Sequence, residues 1–227
     1  MFPTSIDAAG HYFRNFPSMT TSSGTQQRPR ILLLYGSARA GSYSRQLTVE
    51  AERLLSTLGA ETKLFDPEGL PVDSEGSSSH AKVLELAELT NWSDGHVWCS
   101  PEHHGSMSGV MKLIIDYLPS GKQTSGVRGK PLCLMQVAGG QLSGNALNEM
   151  QRVGRSLGMY STSRQIAVAD VSKQLFEGGT LTQQLRDRLA DAMDELFKLS
   201  VLLRDHAEWL QDVPSTRKPR VGIVSSR

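Results

Sequence analysis

Ile31-Leu32-Leu33-Leu34-Tyr35 is an unbroken apolar run, followed at once by Gly36-Ser37 and then by a helical stripe with apolar positions at 47, 51, 54, 55 and 58. A run without alternation reads as a strand buried on both faces, which occurs in a parallel sheet covered by helices. The motif repeats. Residues 62–65, 95–99, 131–138 and 165–169 read as further strands. The spacing predicts helices over 46–58, 81–89, 107–118, 143–157 and 180–206, the first stopped by Gly59 and the third by Pro119. Five strands alternating with five helices predict an α/β doubly wound parallel sheet with helices on both faces. Ligands of such sheets bind beyond the carboxyl ends of the strands, so the loops after the first, third and fourth strands are the candidates for function.

The ends of the chain look different. Residues 1–29 are rich in Ser, Thr, Gln, Gly and Pro without apolar periodicity and read as a flexible arm, and 211–227 as a basic tail. That leaves 30–210 as one domain. Residues 1–16 lack the apolar core of a secretory signal, and Asp7 speaks against a transit peptide. Phe2, Tyr12, Phe13 and Phe16 are unusual for a free tail and suit either docking on another subunit or a solvated arm.

Charge narrows the partners. The chain has 227 residues, with 24 Lys and Arg against 23 Asp and Glu, a net charge of +1. A nucleic-acid binder should carry a basic excess, a disordered chain a large net charge, and a membrane span about 18 apolar residues in a row. None of the three is present. Cys99 and Cys133 sit in apolar runs, as small buried hydrophobes in the reduced state of a cytoplasmic protein would.

The first loop, Gly36 to Arg45, brings Ser37, Arg39, Ser42, Tyr43, Ser44 and Arg45 to a helix N-terminus. Between Arg28 and Val49 there are four arginines and no acid. Free amides, hydroxyls and guanidiniums at a helix start suit a phosphate, although the segment is neither a P-loop nor a dinucleotide loop. A serine-capped helix with incidental arginines is the plainer alternative. The second loop, Cys99 to Gly109, holds Ser100, Pro101, Glu102, His103, His104 and Gly105. Pro101 is expected to end the strand. Adjacent histidines rarely reach one ion and no distant third ligand is evident, so a wall against a flat ligand is favoured over a metal site. Histidines hydrogen-bonded within a turn remain the alternative. The third loop presents Ala138, Gly139, Gly140 and Gln141, where paired glycines expose backbone groups, or else simply connect strand to helix with Ser143 as cap.

Together the three loops, with Phe65-Asp66-Pro67-Glu68-Gly69-Leu70-Pro71, resemble the NADPH-dependent FMN reductases of the flavodoxin-like fold. The similarity is greatest to the ArsH-type arsenical-resistance flavoproteins and covers about residues 30–210. It implies a five-stranded sheet in the order 2-1-3-4-5 and a non-covalent FMN. Ser37, Arg39, Ser42, Tyr43 and Ser44 would then hold the phosphate. Residues Ser100 to Gly105 would border the isoalloxazine, and Ala138 to Gln141 its pyrimidine end. The resemblance further implies hydride transfer from NADPH to flavin N5 and onward transfer to a small-molecule acceptor (FMN, quinone, azo dye, metal ion or oxygen), and oxidation of trivalent organoarsenicals to the pentavalent form. It implies no protein nucleophile, with His104 as a possible proton donor, and a homotetramer or dimer. The pattern departs from the family at His103, where arginine is usual, and over Gln141 to Asn145. An electron carrier without NADPH activity is the alternative, disfavoured because carriers of this fold are strongly acidic.

Overall fold

The computed structural model describes residues 27–72, 79–119, 126–141, 143–174 and 181–211. The arm 1–26, the tail 212–227 and Leu142 lie outside the described residues, as do the expectations placed on them.

The apolar runs sort their side chains by parity. Ile31, Leu33, Val97, Cys99, Cys133 and Met135 enter one buried cluster with Leu47, Ala51 and Leu55 and with Leu189, Met193 and Leu196. Leu32, Leu34, Trp98, Leu132 and Leu134 enter the other, with Leu86, Met111, Ile114 and Met150. Successive residues of a strand point to opposite faces, so a run that is apolar at every position builds two cores at once. The chain runs β1 (Arg30–Tyr35), α1 (Tyr43–Thr57), β2 (Glu61–Phe65), α2 (Ala81–Trp92), β3 (Gly95–His103), β4 (Ser106–Met107), α3 (Gly109–Asp116), β5 (Pro131–Val137), α4 (Asn145–Ser156), β6 (Tyr160–Ser161), β7 (Ile166–Val168), α5 (Val171–Gln174), α6 (Gln183–Asp205) and α7 (Ala207–Gln211). Helices α1 and α6 cover the first core, and α2, α3 and α4 the second.

The parallel strands follow the order β2-β1-β3-β5, with β6 and β7 both on the far side of β5. This is the expected flavodoxin-like order with its last strand divided. The predicted strand 165–169 shortens to Ile166–Val168, and Tyr160–Ser161 is an additional piece. Helix starts also shift. Helix α1 begins at Tyr43, capped by Ser42, so Tyr43 and Ser44 belong to its first turn rather than to the loop. Helix α3 starts after Ser108, whose hydroxyl accepts from the Met111 N–H. Helix α4 is preceded by Gly144 in the left-handed region (φ 74°), with no side-chain cap of its own, instead of Ser143.

The largest correction concerns Pro101. Strand β3 does not stop there: it continues to His103 and pairs Pro101 with Val137 of β5. The Cys99 carbonyl accepts from Gly36 N–H on the β1 side (2.9 Å). By the two-residue alternation Pro101 faces that same side, where β1 has already ended at Tyr35. The N–H that proline lacks therefore has no ladder partner to lose. Beyond it, His103 pairs with Ser106 and Glu102 with Met107 across an antiparallel hairpin. His104 (φ 51°) and Gly105 (φ 75°) are its two turn residues, both at positive φ as a type I′ turn demands.

The amino edge of the sheet is closed by polar pairs. Asp94 accepts from the Arg30 N–H (2.9 Å), Nε (3.3 Å) and terminal amine (3.0 Å), and Arg204 lies 3.6 Å away. Arg30 thus belongs to the end of β1 opposite the first loop. Buried His96 takes the Trp98 indole N–H on Nδ1 (3.4 Å) and donates from Nε2 to Ser93 Oγ (2.9 Å), which in turn donates to the Thr90 carbonyl (2.9 Å).

Candidate functional site at the carboxyl edge

All three candidate loops meet beyond the carboxyl ends of β1, β3 and β5. The first two are joined through Gly36. A Cβ there would lie 2.6 Å from Ser108 Oγ and 2.7 Å from Met111 Cβ, so only glycine lets β1 end against α3. Ser108 Oγ donates to the Gly36 carbonyl (2.7 Å), and the Ser108 N–H donates to Ser100 Oγ (3.0 Å). Ser100 and Ser108 are buried, and their hydroxyls are engaged inside the fold. Ser100 therefore borders the site through its backbone.

In the first loop, Ser37 Oγ accepts from the Arg39 N–H (3.3 Å) and Ser42 Oγ from the Arg45 N–H (3.3 Å). Ala38 to Gly41 are exposed, whereas Ser37, Ser42 and Ser44 are buried. Ser44 Oγ is the one buried side-chain polar atom among the described residues without a hydrogen-bond partner. Leaving a buried hydroxyl unpaired costs about 1–3 kcal/mol, so the orphan marks a place where a ligand group belongs. Arg45, in the first turn of α1, lies back over the end of β1. Its guanidinium lies 5.9 Å from the Tyr35 ring centroid, a cation–π contact at the end of β1. Burial raises the Tyr35 hydroxyl above its ordinary pKa, and the Glu68 N–H holds neighbouring Asp66 below its own. Of the four arginines counted together in the sequence, Arg39 and Arg45 are the ones at this edge.

The second loop is the β3–β4 hairpin. His103 and His104 are exposed, while Pro101, Glu102 and Gly105 are half-buried. Glu102 leans toward the third loop, accepting from Gln136 Nε2, from Ser143 Oγ and from the Ser143 N–H (3.4 Å). In the third loop Ala138 is locked by Val168 and Val171, and the Gly140 carbonyl accepts from the Asp170 N–H. Gly139, Gly140 and Gln141 are exposed. Both glycines lack positive φ, and a Cβ on either would meet nothing within 4 Å. Nothing within the chain requires glycine at these two positions.

Gln136 and Tyr35 are residues at this edge that the sequence reading did not single out. One signal was present: Gln136 is the single polar residue in the run Leu132 to Val137 apart from Cys133. The two cysteines are buried and unpaired, and burial pushes each thiol up to about 12, so neither is a nucleophile. A cleft of about 330 Å³ between α6 and Arg164 lies elsewhere, and its Glu195 is already held by Ser163 and Arg164.

A doubly wound sheet with an open helix start after β1 and an unfilled glycine loop after β5 defines a flavodoxin-like domain built for a phosphorylated planar cofactor. The family model for NADPH-dependent FMN reductases matches residues 29–173. The NADPH-dependent FMN reductase ArsH of Acidithiobacillus ferrooxidans is 44% identical over 211 residues, 92% of this chain and 89% of that protein. The ArsH protein of Rhizobium meliloti is 47% identical over 204 residues, 88% and 84% of the two chains. FerB, a flavoenzyme NAD(P)H:(acceptor) oxidoreductase of Paracoccus denitrificans, superposes with a TM-score of 0.63 at 20% identity, over 75% of this chain and 98% of that one, a likeness of fold. The chain belongs to the NADPH-dependent FMN reductase family, and within it to the ArsH type. It is an oxidoreductase whose cofactors are FMN and NADPH.

Proposed function

We propose that FMN is held across the three loops and that the enzyme passes electrons from NADPH to a small acceptor, with a trivalent organoarsenical, oxidised to the pentavalent form while oxygen takes the electrons, as the substrate the ArsH likeness favours. The observation that carries the placement is Ser44 Oγ, buried and unpartnered in the first turn of α1. With Ser37, Arg39, Ser42 and Tyr43 it forms the phosphate end. The N-terminal amides of α1 and its dipole add to the attraction for an anion. Pro101 to Gly105 form one wall, and Ala138 to Gln141 form the other. FMN, when bound, would supply the hydride chemistry between NADPH and a quinone, azo dye, metal ion or oxygen, and an organoarsenical would be oxidised with oxygen as the final electron acceptor.

The protein's share is to bind, orient and tune. Exposed amides of Gly139 and Gly140 suit the stabilisation of negative charge on a reduced cofactor. No thiolate takes part: Cys99 and Cys133 are two, not three, and both are buried, so arsenic has no thiolate cage here. His104, exposed with His103 at the hairpin tip, is the side chain we assign as the candidate proton donor. Exposed Leu202 and Trp209, on α6 and α7, are the surface we assign to a dimer or tetramer, and the free thiols suit the cytoplasm.

The test is the absorption spectrum of the purified protein followed by titration with NADPH. A flavin spectrum bleached by NADPH is expected; a colourless protein that takes up no added FMN overturns the reading. For the acceptor, aerobic turnover of methylarsenite is measured with and without catalase. Product that persists with catalase supports direct oxidation, and product abolished by catalase refutes it.

A further inference from the structure

Gln136 is fully buried near the carboxyl end of β5, immediately before the exposed glycine loop. Both ends of its amide are engaged by different elements. Oε1 accepts from the Leu147 N–H in the first turn of α4 (3.1 Å). Nε2 donates to Glu102 near the end of β3. The orientation is forced, because a backbone N–H requires the carbonyl end and a carboxylate requires the amine end. Helix α4 lacks a side-chain cap from Gly144, so Gln136 caps it from a strand. Glu102 in turn holds Ser143 by its N–H (3.4 Å) and hydroxyl. One side chain thus ties the hairpin to the segment that follows the glycine loop.

We propose that Gln136 is a positioning residue that sets the separation of the two walls of the FMN site, acting through Glu102 and the start of α4. The inference rests on the placement of FMN argued above. Gln136 lies beneath the walls with its side chain enclosed, so its influence on FMN runs through the elements it joins. Removing either hydrogen bond loosens one tie between the base of the hairpin and α4, leaving Ser106 on Glu149 as the direct link at its far strand, and leaves the amide or the carboxylate short of a partner.

The experiment measures FMN dissociation constants from quenching of free FMN fluorescence by flavin-stripped protein, a readout independent of turnover. Gln136→Leu keeps the volume and loses both bonds; about ten-fold weaker binding is expected, with an unchanged far-ultraviolet spectrum. Gln136→Glu keeps the acceptor for Leu147 but sets a carboxylate against Glu102. Two such groups retain a proton between them, so binding should weaken as pH rises. The double variant Gln136→Glu with Glu102→Gln reverses donor and acceptor and restores the pair; its affinity should return to within about three-fold of wild type. This rescue does not depend on Gln136→Leu folding, and a residue that only filled space would not produce it. Equal affinity of Gln136→Leu and wild type, or a double variant no better than Gln136→Glu alone, overturns the inference. A wild-type protein that quenches no FMN fluorescence overturns instead the functional reading beneath it.

Discussion

The two edges of the sheet treat polar groups in opposite ways. At the amino edge every prominent group is matched from within: Arg30 and Arg204 on Asp94, His96 between Trp98 and Ser93. At the carboxyl edge Ser44 Oγ has no partner, and Gly139 and Gly140 leave open space. Both edges are made from the same strands with the same apolar filling. The contrast divides the polar groups: the amino edge satisfies its own, and the carboxyl edge, where we propose that FMN binds, leaves one buried hydroxyl unmet and a glycine pair exposed.

Substitutions should therefore separate stability from affinity. The largest effect belongs to Asp94→Ala, which strips three hydrogen bonds from Arg30. With Arg30 partly exposed, a loss of about 2–3 kcal/mol in urea unfolding is expected. FMN affinity should stay within about two-fold; a large loss of affinity would break the division between the edges. Arg39→Ala should do the reverse. FMN binding should weaken roughly 10–100-fold, as for a charge-assisted contact, with unfolding shifted by less than about 0.5 kcal/mol. Unchanged FMN affinity removes Arg39 from the site.

The third test uses acid. Burial, aided by the Lys130 charge, holds His96 well below the usual histidine range. The unfolded chain takes up a proton that folded His96 refuses, so stability should fall as pH drops below about 6.5, by at most about 1.4 kcal/mol per pH unit. Urea midpoints between pH 7 and 5.5 give the slope, and an identical slope in His96→Gln refutes the assignment to His96. The smallest effect is the most diagnostic. Ser44→Ala deletes the orphan hydroxyl, so flavin-free protein should gain about 1 kcal/mol while FMN affinity falls by a similar amount. A variant less stable without FMN would mean that Ser44 already has a structural partner.

The parallel sheet was legible because runs such as Ile31–Tyr35 have no other good place to go. The helix after β1 was legible from its apolar stripe, although it starts at Tyr43, capped by Ser42, three residues before the predicted 46. What the sequence hid was geometry at longer range. Arg30 and Arg39 look adjacent in a list of charges, yet β1 is about 17 Å long and puts them at opposite edges. Pro101 looked like a terminator, because the linear chain does not show that β1 stops two residues earlier. His104-Gly105 is not the Asn-Gly signature of a two-residue hairpin, so β4 passed unnoticed. Gln136 was visible as a polar residue in an apolar strand, but its partners Glu102 and Leu147 are 34 and 11 residues away.

The divided last strand has a consequence for self-association. β6 and β7 contribute only two and three paired residues, and between them Thr162 turns to bond Leu132 and Arg164 while Glu195 clasps Ser163 and Arg164. A stranger's strand finds no continuous row of amides to extend along that border. At the opposite border β2 carries exposed Glu61 and Lys63, charges that discourage stacking of sheets into fibres. Neither border presents a long flat edge, so crowding or partial unfolding has less chance of turning this sheet into a template for aggregation.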